Sequence, residues 1–356
     1  MRRGLIHWNH EELPPAAIDA RVARLQAAMR EEGLGAVCTY ASFAQPAPLQ
    51  WLCNYVPYWS EAVLVVWPEG PPALLVAGTP RTHGWIRSVS HSGELIAAPR
   101  PGVQLAELLG RTLPAPARVG VVALDQLPWS FAEPLLAAGW GERLLDATAL
   151  YRRARQPGDE AERGLARRAA AIAAGALAAI PANAAQASAL LAAVDLAARS
   201  AGAEEVLLRI APDLARDATL QRMEGDAPLG TRYAVDCSLA YKGVWVRDLR
   251  SFTRSGEPPA SWVAALDWFE RAQAQAGTAD AAALALGCPG TLSEWALEAS
   301  VGQAPLDLVA GSALPAAAPL PAGSLAVFSA RLALEDGPWR RATGLVLGQG
   351  ALAAGA

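Results

Sequence analysis

An α/β domain followed by an α+β domain is the fold class this sequence predicts, and three observations predict it. The chain has 356 residues, more than one hydrophobic core usually serves, so two domains are expected, residues 1–150 and 151–356. Short apolar runs alternate with helical patterns through the first part. The second part instead begins with long Ala-rich helical stretches and ends in antiparallel strand patterns, with a β-hairpin at 231–252.

Taken in order, residues 14–35 read as a helix. Val22, Leu25, Met29 and Leu34 recur at helical spacing, Asp19 is a candidate cap, and Gly33 with Gly35 ends it. Ala36–Tyr40, Trp51–Tyr55, Ala62–Trp67 and Ala73–Ala77 read as strands, the second and third separated by an aromatic loop, Val56-Pro57-Tyr58-Trp59. Leu105–Leu113 is helical, Arg118–Leu124 a strand and Pro128–Ala138 a helix, which makes a small α/β domain with a mixed sheet. A charged stretch carrying Pro157-Gly158 marks the boundary near 146–160. Helices follow at 159–180 and 184–201, the latter ended by Gly202, then a strand at Glu205–Ile210. Beyond the hairpin, Ser261–Gln275 is a helix, Leu292–Val301 a weaker one, and Ser324–Leu334 and Arg341–Leu347 are strands.

Composition narrows the function classes. Hydrophobic residues make up 53% and charged residues 18%, which is globular. The net charge of −4, without a basic stripe, argues against nucleic acid as a partner. No apolar window reaches the roughly 18 residues of a membrane span; Pro181, Asn183 and Gln186 break the Ala-rich stretch 169–193 that comes closest. His7, His10, Glu11 and Glu12 stand where a secretory leader needs an apolar core, so a soluble, cytoplasmic protein is expected. Cys38, Cys53, Cys237 and Cys288 form no CxxC and read as buried, reduced thiols rather than a zinc site.

The hairpin is the candidate site. Its first strand, RYAVDCS, carries Asp236 within an apolar run; its second, VWVRDLRSF, carries Trp245, Arg247, Asp248 and Arg250; Tyr241-Lys242-Gly243 make the turn. Charges inside a core strand are costly unless they are paired or bind something. Side chains alternate faces along a strand, so without a bulge Arg247 shares the face of Asp236 and Trp245 while Asp248 points away; a bulge at Val246–Arg247 would return Asp248. Arg247 has two open readings: it forks onto Asp236, or it pairs elsewhere or reaches solvent.

Gly230, Asp236, Tyr241, Gly243, Arg250 and Phe252 fall into step with the first metal-binding hairpin of the creatinase, prolidase and aminopeptidase P superfamily. RVARLQAAMREEGLGAVCTY, QWLCNYVPYWSEAVLVV, LYRRARQPGDEAE and LPAGSLAVFSARL resemble that family's opening helix and strand, its next strand region, its interdomain linker and its late strand, in that order. The chain is thus identified as a degenerate member of the Xaa-Pro peptidase family. A creatinase-like N-terminal domain and a C-terminal domain of pita-bread fold are implied.

In the family, two Asp, a His and two Glu hold two divalent metals that turn a shared water into hydroxide. Carried over, the first Asp is Asp236 and the second falls on Arg247, one residue before Asp248. The first Glu falls on Ser329 and the second near Ala342. All four histidines lie at or before residue 91, and the segment DLVAGSALPAAAPLPAG replaces the family's His-bearing loop. No metal cofactor is therefore expected. Glu335 and Asp336 read as a turn at the tip of the last hairpin rather than as substitute ligands.

The resemblance further implies a homodimer, or a heterodimer with an active relative. The N-terminal domain of one subunit would reach the other's cleft through Tyr58, Trp59 or His83, although core packing for the first two and a solvated loop for His83 are the plainer readings. The expected function is a pseudopeptidase that binds a peptide or small molecule in the remnant cleft. A metal-independent enzyme reusing the pocket, in the manner of creatinase, is the alternative, and a residual metallopeptidase with substitute ligands is the third. No GxSxG, P-loop or GxGxxG pattern points to another chemistry.

Overall fold

A computed structural model describes residues 7–58, 60–277, 281–300 and 320–352. The chain divides into two compact units, residues 2–156 and 157–356.

The first unit runs α1 (Pro15–Glu31), β1 (Leu34–Ser42), α2 (Ala47–Cys53), β2 (Glu61–Val66), β3 (Ala73–Val76), α3 (His83–Val89), β4 (Glu94–Ala97), α4 (Pro101–Thr112), β5 (Arg118–Val122), α5 (Trp129–Ala137), β6 (Leu144–Asp146) and α6 (Thr148–Ala154). Its six strands form one mixed sheet in the order β4-β3-β2-β1-β5-β6. β1 is antiparallel to β2 and parallel to β5. Both faces of the sheet are covered, so β2 is apolar on both sides: Leu64 and Val66 join one core with α1 and α2, while Val63 and Val65 join another with α4 and α5.

Two expectations change here. Trp51–Tyr55 was expected as a strand, but Trp51, Leu52 and Cys53 close the helix α2. Prolines at the start of that segment suit a first helical turn, and Asn54 ends it at φ 59, in the left-handed region. Those end signals outweigh the β-propensity of the aromatics. Asp19 does not cap α1: the helix begins after Pro14 without a side-chain cap, and Asp19 meets His91 Nε2 at 2.7 Å from the second turn. The expected interdomain stretch also contains α6, whose Tyr151 packs edge-on to Trp51.

The second unit contains α7 (Glu160–Ala178), α8 (Ala187–Ser200), β7 (Glu205–Ala211), β8 (Arg232–Tyr241), β9 (Val244–Thr253), α9 (Ala260–Gln275), α10 (Ala281–Ala285), β10 (Thr291–Ala299), β11 (Leu325–Leu334), β12 (Gly337–Val346) and β13 (Gly350–Ala351). Asp159 caps α7 by accepting a hydrogen bond from the Glu162 amide at 2.8 Å. The sheet order is β10-β11-β12-β9-β8-β7, with β13 added against β12. Val235, Cys237 and Leu239 on β8 pack beneath α7 and α8. Phe269 of α9 packs on Phe328 and Trp339, ring centroids 5.0 and 5.9 Å away. The strand pairings place these residues on one face of the sheet, so the helices cover that face.

Leu292–Val301 was expected to be helical and is instead the strand β10 within the described residues, paired to β11. Glu294 and Glu298, four residues apart, share a face in either structure, which disguises the period. Trp295 and Leu297 alternating against them decide it. The hairpin is as expected. Lys242 (φ 47) and Gly243 (φ 77) both take positive φ, the two-residue turn whose twist matches the flanking strands.

Candidate functional site

The second unit's other face is built by register. Arg209 lies opposite Asp236, Asp236 opposite Leu249, Leu249 opposite Ala342, Ala342 opposite Ser329 and Ser329 opposite Ala296, a single row across the sheet. Opposed residues of an antiparallel pair project to the same side. The β8–β9 pairing is continuous from Arg232↔Thr253 to Tyr241↔Val244, with Ser238↔Arg247 and Cys237↔Asp248. No bulge intervenes. Arg247 and Trp245 therefore share the face of Asp236, while Asp248 and Tyr241 project to the helix-covered face.

Asp236 is 1% exposed and its charge is fully engaged. Arg209 forks onto Oδ2 through Nε (3.1 Å) and Nη2 (2.6 Å), and Arg247 Nε reaches Oδ1 at 3.3 Å. Ser238 Oγ stands 3.5 Å from Oδ1. The fork is made by Arg209; of the two readings open for Arg247, each holds in part, since its Nε reaches Asp236 while its Nη1 lies 3.4 Å from Glu298 Oε2. Arg209 escaped sequence reading because its strand alternates poorly (VLLRIA) and its pairing partner is 27 residues away. Its one sequence signal is a charge within an otherwise apolar strand.

Asp248 and Tyr241 leave the candidate cleft. Asp248 is clasped by Arg250, whose Nη2 lies 2.8 Å from Oδ2, and Arg341 Nη1 stands 3.5 Å from Oδ1. Burial pushes the Arg341 guanidinium below its ordinary range. Tyr241 packs beside Val246 and the α7–α8 core. Ser329 stays on the Asp236 face, and Trp245 is buried there. Glu335 and Asp336 do form the β11–β12 turn, where Asp336 accepts from Ser261 Oγ at 2.7 Å and pairs with Arg232.

In the first unit Tyr58 is half-exposed, edge-on to Phe43, and so does not serve as core packing. Trp59 lies outside the described residues. His83 opens α3 instead of standing in a solvated loop, and its Nε2 is buried without a hydrogen-bond partner among the described residues. Cys38, Cys53 and Cys237 are buried and Cys288 half-buried, all four unpaired; burial pushes the Cys38 and Cys53 thiols up to about 12.

Residues 21–156 match the family model of the creatinase/prolidase N-terminal domain. They are a creatinase/prolidase N-terminal domain. Solved structures extend the likeness to the whole fold. A prolidase from Pyrococcus horikoshii OT3 superposes with a TM-score of 0.70 at 14% identity, covering 93% of this chain and 96% of its own. An X-Pro aminopeptidase from Thermotoga maritima MSB8 gives 0.68 at 14%, covering 91% and 96%. A dipeptidase from Mycobacterium ulcerans gives 0.64 at 18%, covering 96% and 97%. No curated protein matches by sequence. The chain has the two-domain creatinase/prolidase fold, its second unit the pita-bread domain. The positions to which the resemblance assigns metal ligands, Asp236, Arg247, Ser329 and Ala342, all lie on the face of the second unit's sheet opposite α7, α8 and α9. Among the described residues, no three His, Cys, Asp or Glu side chains are grouped so that they could hold a metal ion. No helix among them is long and apolar enough to cross a membrane.

Proposed function

We propose that this protein is a pseudopeptidase: a prolidase-type fold that binds a peptide or small molecule on its remnant catalytic face without hydrolysing it. One observation carries the reading. Where a dimetal centre needs hard carboxylates bridging both ions, this chain presents Asp236, Arg247, Ser329 and Ala342, and the one carboxylate is held by two guanidiniums. That donor set does not fit two divalent cations. Arg247 replaces a ligand by a fixed positive charge, which repels a metal and neutralises Asp236 in its stead.

A creatinase-like, metal-free hydrolysis would need a proton carrier, and no histidine follows residue 91. By its likeness to prolidases, the chain works as a homodimer or as the silent partner of an active relative. A cytoplasmic setting is in keeping with its unpaired cysteines.

The test is metal analysis of purified protein after equilibration with Mn(II), Co(II) and Zn(II), alongside assays on Xaa-Pro dipeptides. Substoichiometric metal and no hydrolysis are expected. About two equivalents of tightly held metal with chelator-sensitive peptidase activity would overturn the proposal.

A further inference from the structure

On the face of the second unit's sheet opposite its helices, Arg209, Arg247, Arg331 and Arg340 gather, and their arrangement is costly. Arg331 and Arg340 stand directly opposite each other across β11 and β12, a like-charge pair on one face. Arg209 and Arg247 converge on Asp236 in the neighbouring strands. The Arg340 guanidinium is pushed below its ordinary range, chiefly by burial and then by the charge of Arg331, with Arg247 and Arg209 adding to it. The two pairs therefore sense each other across the row.

Acidic partners exist but sit outward. Glu294 takes Arg331 at 3.0 Å and Arg340 at 3.5 Å, yet its side chain is 60% exposed. Glu298 is 27% exposed, and Asp217, near Arg331 and Arg340, is fully exposed and spends its carboxylate on Thr219. The inner layer is different: Arg247, Arg340 and Arg209 are 10, 14 and 20% exposed, and Arg247 and Arg209 share one buried carboxylate, Asp236. Arg340 Nε is in addition buried and, among the described residues, donates to no acceptor. A buried donor without a partner is uncommon and costly, so it marks a place where an acceptor belongs.

We propose that this face binds a small dianion, the chemistry shared by a phosphate monoester and a dicarboxylate, seated between Arg340, Arg331 and Arg247. Guanidinium forks match both groups in bidentate geometry, and two negative charges balance the inner layer's surplus of arginine over carboxylate. Glu294 acts as a resident substitute: it holds Arg331 and Arg340 until the ligand displaces it outward. The inference rests on the reading of a metal-free face and supplies that reading with a ligand class.

The experiment is isothermal titration of the full chain with inorganic phosphate and with malonate at constant ionic strength, acetate and chloride serving as monoanion controls. Saturable dianion binding, at least tenfold tighter than acetate, is expected. Arg331→Gln and Arg340→Gln should each weaken it at least tenfold, whereas Glu294→Gln should tighten it several-fold by releasing both arginines. Phosphate without malonate points to a phosphorylated ligand and the reverse to a dicarboxylate; either supports the proposal. Dianions no tighter than acetate, or unchanged binding in folded Arg331→Gln, would overturn it. Arg331 is one-third exposed, so that variant serves if Arg340→Gln fails to fold. A parallel Mn(II) titration separates the two readings: two bound equivalents sink the metal-free reading, while neither Mn(II) nor dianion binding sinks this inference alone.

Discussion

Replacing Asp236 by alanine is the sharpest test of how this site is held. The side chain is 1% exposed and accepts from Arg209 at 3.1 and 2.6 Å and from Arg247 at 3.3 Å. Its loss leaves two guanidiniums facing each other without their shared anion. Breaking a buried ion pair from one side costs about 3–5 kcal/mol. Arg209, 20% exposed, can swing partly toward water, and Arg247 keeps Glu298, so the lower end, about 3 kcal/mol, applies. For a unit of this size each kcal/mol moves the melting temperature by about 2–4 °C, so a drop of about 6–12 °C is expected. Urea unfolding followed by tryptophan fluorescence and by circular dichroism together shows whether the second unit melts separately. A double-mutant cycle with Arg247→Met isolates the pair, with a coupling of about 1–3 kcal/mol expected. An Asp236→Ala protein within about 1 kcal/mol of wild type, or a cycle that closes to zero, would refute this account of the site.

Other perturbations have comparably definite outcomes. Phe269→Ala empties a site in contact with Phe328 and Trp339 and should cost about 3–5 kcal/mol by denaturant titration. Lys242→Gly relieves a non-glycine residue at φ 47 and should stabilise by about 0.5–1 kcal/mol, whereas Gly243→Val, at φ 77, should destabilise by at least 1 kcal/mol. The Cys38 and Cys53 thiols, raised by burial from 9.0 to about 12, should resist a thiol-specific reagent at pH 8 in the folded protein and react fully in denaturant. Because the folded values are raised, the stability these neutral thiols lend is complete below pH 9 and is lost as pH climbs toward about 12; alkaline unfolding monitored by circular dichroism should steepen across that window.

By itself the sequence determined the two-part fold class, the hairpin and the placement of its histidines. Each of these is written locally: hydrophobic period separates helix from strand, Lys242-Gly243 declares a two-residue turn, and the absence of any histidine after residue 91 needs no coordinates. Tertiary structure decided the rest, for reasons of register and context. Whether Arg247 or Asp248 faces Asp236 depends on an unbulged pairing across two strands. That Arg209 makes the fork follows from β7 pairing with β8, a long-range choice no window contains. Trp51–Cys53 closes a helix because Asn54 ends it there, and Glu294 belongs to a strand because β11 lies beside it. A local pattern says which side chains can share a face; only the pairing of distant strands says whose charges meet there.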